Sequence, residues 1–256
     1  MSRYERWNAL LELLARHGRL TVEEAAGTLQ VSTATIRRDF DELSQQQMLM
    51  RTRGGAVAQS VSYDLPLRYK TARRAGEKQR IAQAAAALVQ PGAVVGMNGG
   101  TTTSEVARTI AARTPQSARI TVVTNALNIA AELTVRQNIK IVLTGGVARP
   151  QSYELIGPLS SGVLQQVTLD IAFLGVDGID VAAGASAHHE GEASVNNLLI
   201  GRAARVVAVA DASKIGRRVF AKICDIDRID TLITDASLPD ADAEGFMNAG
   251  LQVLRV

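Results

Sequence analysis

One cysteine, Cys224, stands in a chain of 256 residues. That scarcity excludes an intrachain disulfide framework and a zinc centre built on paired cysteines. It fits a reducing compartment, and a cytoplasmic protein is expected. Histidines number three. His188 and His189 are adjacent to Glu190, but His17 lies far away, so a loop or pocket edge is expected there and no metal site. No run free of charged or polar residues is long enough to span a bilayer, and no membrane partner is expected. The first residues, MSRYERWNALLELL, carry Glu5 and Glu12 inside their apolar pattern. They read as an amphipathic helix and not as a signal peptide. A net charge of +3 is too small for a histone-like tail or a polybasic membrane binder. Apolar residues make up 46% of the chain, enough for a sizeable core in one large domain or two unequal ones.

The small total hides an uneven distribution. Residues 1–80 carry 14 basic and 9 acidic side chains, whereas residues 81–256 carry 14 and 16. Within the first stretch, residues 1–58 hold 8 basic against 7 acidic and residues 59–80 hold 6 against 2. The positive charge therefore gathers after the first module, where Arg68, Lys70, Arg73, Arg74, Lys78 and Arg80 lie.

Three helical patterns open the chain. Trp7, Leu10, Leu11 and Leu14 recur at helical spacing between Tyr4 and His17, and Gly18 follows as a stop. Thr21 with Glu24 forms a capping box before a second helix, Val22 to Leu29. After a tight turn at Gln30-Val31, Ser32 caps a third helix that runs to about Gln46. Its apolar positions Ile36, Phe40 and Leu43 bury one face. Ala34, Thr35, Arg37, Arg38 and Glu42 point away from it. Leu49 to Val57, around Gly54-Gly55, fits a small hairpin. Polar residues containing Pro66 then read as a linker, 59–76, between a first domain, 1–58, and a second, 77–256.

From Glu77 the pattern changes. One helix, Glu77 to Val89, ends at Pro91-Gly92. Strands are expected at 93–97, 120–124, 139–144, 171–176, 206–210, 231–234 and 252–256. Helices are expected at 103–113, 126–136, 192–204 and near 242–248. Short Val/Ile/Leu-rich strands alternating with helices predict a parallel α/β sheet covered on both faces.

Each module carries its own chemistry. A recognition helix buries one stripe and offers the other to the major groove, where arginine bonds guanine or phosphate. Ser32, Thr33, Ala34, Thr35, Arg37 and Arg38 are the candidate DNA contacts, with Arg51 and Arg53 on the hairpin as a wing. Asp39 is expected to pair with an arginine inside the module. The competing view is a three-helix packing unit with solvated arginines. In the second module, Asn98-Gly99-Gly100-Thr101-Thr102-Thr103 joins a strand to a helix, which suits an anion at the helix N-terminus. Thr124, Asn125, Gly145, Gly146, Asp177, Gly178 and Lys214 end other strands, where ligands of open parallel sheets collect. Together they suit a polyol phosphate. No GxxxxGK[ST] motif supports nucleotide hydrolysis, and no cofactor is expected.

The run from Val31 to Phe40, VSTATIRRDF, and the wing RTRGGA from Arg51 to Ala56 resemble the DeoR family of bacterial transcription regulators. The later blocks resemble that family's sensor domain. The resemblance implies an α/β protein: an N-terminal winged helix-turn-helix domain plus a C-terminal α/β sugar-phosphate-binding domain similar to ribose-5-phosphate isomerase. It implies a repressor of a carbohydrate catabolic operon that binds double-stranded operator DNA as a homo-oligomer, dimer or tetramer. A phosphorylated sugar effector would control it, with Asn98 to Thr103 around the phosphate. Asp177, Glu192 and Lys214 would surround the sugar. Asn98 and Asn196 depart from the family pattern, which often has an acidic or small residue at the first position and lysine at the second. The GGTTTSEVAR and HHEGEASVN forms look like the subgroup of amino-sugar or N-acetylgalactosamine catabolism. The alternatives are an isomerase-like enzyme fused to a DNA reader, with Asp177, Glu192 and Lys214 as catalytic groups, and an architectural DNA-binding protein.

Overall fold

A computed structural model describes residues 1, 3–46, 48–57, 67 and 74–256. Within the expected linker, Arg68, Lys70 and Arg73 lie outside the described residues. Spatial contacts divide the chain into two units, Met1–Arg73 and Arg74–Val256.

The first unit opens with α1, Arg3–His17. Gly18 ends it, its N–H donating to the Leu14 carbonyl at 2.8 Å. A short strand that the sequence pattern does not announce, β1 (Arg19–Thr21), follows. Then α2, Val22–Leu29, starts at the expected capping box. The Thr21 N–H and hydroxyl donate to Glu24 Oε2 at 2.9 and 2.8 Å, and the Glu24 N–H donates back to Thr21 Oγ1. Gln30 turns the chain in the left-handed region, and Ser32 caps α3, Thr33–Gln45. The hairpin β2 (Met50–Thr52) and β3 (Gly55–Val57) completes the unit. β3 lies between β1 and β2, all antiparallel. That packing explains Gly55: a Cβ there would meet the Leu20 carbonyl oxygen at 2.4 Å. Trp7, Leu10, Leu14, Leu20, Ile36, Phe40 and Leu43 are buried together. Each such side chain contributes about 1.5–3 kcal/mol by leaving water.

The second unit opens with α4, Ala75–Ala86. It starts before the expected Glu77, inside the stretch read as linker. Seven strands follow: β4 (Val94–Met97), β5 (Ile120–Thr124), β6 (Ile139–Leu143), β9 (Ile171–Gly175), β12 (Val206–Val209), β14 (Thr231–Thr234) and β15 (Gln252–Arg255). They form one sheet in the order β15-β14-β12-β9-β4-β5-β6, and every pairing is parallel. The helices are α5 (Thr101–Arg113), α6 (Leu127–Leu133), α7 (Ser161–Leu164), α8 (Glu190–Ile200) and α9 (Asp240–Asn248). Alternate strand residues enter separate cores. Phe173, Val207 and Val209 pack with Ile81, Val106 and Ile110 from α4 and α5. Leu174, Ala172 and Ala208 pack with Val195, Leu199 and Phe246 from α8 and α9. Both faces are covered, as near-continuous apolar strands require.

Two small sheets were not legible. One is the ribbon β7 (Val147–Ala148) with β8 (Leu155–Ile156). The other is antiparallel: β10 (Gly178–Asp180), β11 (Gly184–Ala187) and β13 (Ala221–Cys224). Their strands are two to four residues long and rich in Gly, Ala and Ser, so no hydrophobic alternation marks them. Cys224 is buried in the second core, and burial pushes its thiol up to about 11, an unreactive state.

Candidate functional site

The exposed stripe of α3 is made of Thr33, Ala34, Arg37 and Arg38, while Ile36, Asp39 and Phe40 face inward. Thr35 is half-buried. Ser32 Oγ accepts the Thr35 N–H at 3.1 Å and lies 2.9 Å from Thr35 Oγ1. Both hydroxyls thus shape the helix start, and the first-turn amides of Thr33 and Ala34 stay at its open end. Asp39 is 3% exposed and ties the reading helix to α1. It accepts from Arg6 Nε at 2.5 Å, Arg6 Nη2 at 3.0 Å and Trp7 Nε1 at 2.8 Å. The hydrogen bond to Asp39 raises the Arg6 pKa, outweighing the opposing effect of burial.

The two wing arginines differ. Arg51 Nη1 donates to the Gly55 carbonyl at 2.9 Å, and its Nε lies 2.9 Å from Asp41 Oδ1. Its guanidinium also sits 5.5 Å from the Phe40 ring centre. Arg51 therefore braces the wing against α3, and Arg53 is the exposed arginine of the hairpin.

In the second unit, chain order puts β5 and β6 on one side of β4 and β9 and β12 on the other. The direction reverses between β4 and β9, the place where open α/β sheets bind ligands. Asn98 and Gly175 meet there. Asn98 Nδ2 donates to the Gly175 carbonyl at 3.0 Å, and the Gly175 N–H donates to Asn98 Oδ1 at 2.7 Å. The amide is buried and bridges the two strand ends. Asn98→Ala leaves both Gly175 groups without this partner and is expected to cost about 2 kcal/mol. Urea denaturation of the full chain checks this, and an unchanged midpoint for the transition of the second unit would contradict it.

Gly100, at φ 136°, starts α5 without a side-chain cap. The hydroxyls of Thr103 and Ser104 turn back to donate to the Gly100 carbonyl, at 3.1 and 2.7 Å. Both hydroxyls are thus turned back into the helix start, and Thr103 is fully buried. Thr124 accepts the Ala126 N–H at 3.0 Å and shapes its own turn. Gly145 and Gly146 pack against the Ile156–Ser160 segment: Ser160 Oγ donates to the Gly145 carbonyl, and a Cβ on Gly146 would meet Ser160 Oγ at 2.5 Å. Gly178 likewise lies against the Arg217 carbonyl. These glycines serve close packing.

Asn125, Glu192 and Asn196 do converge. Asn125 Nδ2 lies 3.4 Å from Asn196 Oδ1 and donates to Glu154 Oε2 at 3.0 Å. Arg149 Nη1 donates to Glu192 Oε1 at 2.9 Å. Lys214 Nζ lies 3.6 Å from Asp177 Oδ1, and the His188 N–H donates to Asp177 Oδ2 at 3.1 Å. His189 Nδ1 accepts the Gly191 N–H and caps α8. Among the described residues no group of three His, Cys, Asp or Glu could hold a metal ion.

Sequence reasoning missed Glu154 and Arg149. Glu154 is 3% exposed, and burial, then the nearby Glu192 charge, pushes its carboxyl up to about 8. Both residues sit in the ribbon segment, where only the fold brings β8 beside Asn125. The left-handed Tyr153, at φ 61°, is equally unmarked.

Two family models match the chain: the DeoR-like helix-turn-helix domain over residues 6–61 and the DeoR C terminal sensor domain over residues 73–236. A protein of Escherichia coli O157:H7 named for repression of the aga operon is 35% identical, with 98% of this chain and 93% of that protein covered. The glycerol-3-phosphate regulon repressor of Escherichia coli K12 is 32% identical, with 93% of each chain covered. Ribose 5-phosphate isomerase A from Methanocaldococcus jannaschii aligns over 54% of this chain and 53% of its own, with 19% identity and a TM-score of 0.42. No helix among the described residues is long and apolar enough to cross a membrane.

Proposed function

This chain belongs to the DeoR family of transcriptional regulators, and from that premise we propose that it represses a carbohydrate operon and is released by a phosphorylated sugar. The observation that carries the proposal is the uncapped α5 N-terminus at the sheet's reversal point, in one chain with a DNA-reading helix. A phosphate accepts from the turn amides there, and the polyol lies toward Asn125, Asn196, Glu192 and Asp177. Thr33, Ala34, Arg37 and Arg38 meet the major groove, with Arg53 on the wing. Ser32 and Arg51 position these groups.

The protein acts in the cytoplasm as a dimer, or a multiple of one, on paired half-sites, as helix-turn-helix readers do. The domains are 1–58 and, because α4 begins at Ala75, 75–256, joined by a basic linker. The placed arginines set specificity, and the linker adds salt-sensitive attraction. Coupling between sugar and operator is reciprocal: a sugar that weakens DNA binding is itself bound more weakly on DNA.

A thermal-shift screen of full-length protein against phosphorylated hexoses, amino sugars and polyols tests this. The true effector at 100 times its Kd adds about 2.7 kcal/mol of stability and lowers operator affinity. Stabilisation by none of them, or operator affinity unchanged at saturation, refutes the proposal. Turnover of a sugar phosphate would favour the isomerase reading.

A further inference from the structure

Glu154 stands where the proposed phosphate turn and the polyol pocket meet. Its carboxyl lies over Gly99: a Cβ there would meet Glu154 Cγ at 2.5 Å and Oε1 at 2.6 Å. The Gly99 backbone beside that carboxyl opposes the rise of its pKa, so Glu154 stands next to the backbone of the turn. The other oxygen, Oε2, accepts from Asn125. Asn125 is fully buried, yet its Oδ1 has no hydrogen-bond partner. Rotating the amide by half a turn would only exchange the atoms, so one end still lacks a protein partner. A buried amide with an open end calls for a ligand group.

The charges around Glu154 are already distributed. Glu192 of α8 takes Arg149, and Asp177 after β9 takes Lys214 and the His188 N–H. His189 caps α8. No described cation forms an ion pair with Glu154. An anion entering the turn therefore meets a third carboxyl within reach of the same amides. Two unpaired anions cannot share that buried place, and one must carry a proton.

We propose that Glu154 is a ligand-contacting residue of the effector pocket that accepts an anion at the Gly99-Gly100 turn only as the neutral acid, so that binding is linked to a proton. The inference rests on the sensor reading of this turn. In the acid form the Glu154 hydroxyl donates to the incoming oxyanion, and the Asn125 amide serves the neighbouring polar group of the ligand. Loss of the proton replaces a donor with a like charge. Burial already favours the acid form, pushing the carboxyl up to about 8.

The sign follows directly. Binding is full below the folded pKa and falls as pH rises through it. Sulfate is the probe, because its charge is constant across this range. Amide NMR of the full-length chain follows Gly99 to Thr102 during sulfate titration. If only the acid form binds, the sulfate Kd rises about tenfold between pH 7 and pH 9. In Glu154→Gln, which keeps the Asn125 contact without a titrating proton, the Kd is flat over the same range. The wild-type Glu154 carboxyl carbon also titrates at higher pH with sulfate present. A flat wild-type profile with sulfate still bound, or no shift of that carbon, overturns the role of Glu154 and leaves the anion turn standing. An equal fall in Glu154→Gln overturns it too, by moving the proton elsewhere. If no sulfate perturbs these amides at any pH, the anion turn itself fails and the proposal falls with it.

Discussion

Asp39→Ala is expected to melt the DNA-reading unit while the sensor unit keeps its own transition. The carboxylate accepts three hydrogen bonds from Arg6 and Trp7 and is buried on the inward face of the reading helix. Arg6 is also largely buried, with 14% of its side chain exposed. Removing one partner of a buried pair leaves the other charge uncompensated, at about 3–5 kcal/mol. A unit of this size holds only about 3–9 kcal/mol in total at usual stabilities per residue. Circular dichroism of the full chain should therefore show the first transition shifted far down, and operator binding should vanish with it. Replacing the pair together, Arg6→Met with Asp39→Leu, should restore much of the stability, because no buried charge remains. An unchanged melting profile for Asp39→Ala would show that the pair does not hold α1 to α3.

Arg38→Ala should give the opposite signature: specific operator binding is lost, and the melting curve is unchanged. Arg38 is exposed on the face of α3 opposite Ile36 and Phe40. Truncating it removes no core contact. If it bonds a guanine through both nitrogens, the loss is about 1–3 kcal/mol of discrimination, roughly 5- to 150-fold in affinity for the operator. Nonspecific DNA binding should change far less. Fluorescence anisotropy with operator and scrambled duplexes, across a salt series, separates base reading from phosphate attraction. Equal operator affinity in a folded Arg38→Ala protein would move the reading role elsewhere on the stripe, first to Arg37. The contrast with Asp39→Ala matters because the two residues are neighbours in sequence. One failure is of folding and the other of recognition.

Much of this fold was legible because its signals are local. The capping box at Thr21 and Glu24, the Ser32 cap and the spacing of Ile36, Phe40 and Leu43 all act within one turn or two. The inner parallel strands are readable because burial on both faces favours near-continuous apolar runs, and the edge strands β6 and β15 by their Ile, Val and Leu. The site was harder. Asn98, Asn125, Asp177, Glu192, Asn196 and Lys214 were recognisable as polar residues at or near strand ends. Their partners were not. Asn98 looked like a phosphate ligand, and its amide is taken up by Gly175, 77 residues away. Arg51 looked like a DNA contact, and it braces the wing through Asp41 and Gly55.

By itself the sequence determined the two kinds of module, the order of their elements and the face that α3 turns outward. Those features follow from periodicity and capping, which depend on residues a few positions apart. Only the tertiary structure decided which polar side chains brace the fold and which remain for a ligand. A hydrogen bond between residues far apart in the chain leaves no periodic trace, and burial sets the cost of an unpaired group. The single cysteine excluded an intrachain disulfide framework and a zinc centre on paired cysteines at the outset. The fold then placed Glu154, which no described cation pairs with, against the glycine turn, where burial pushes its carboxyl up to about 8.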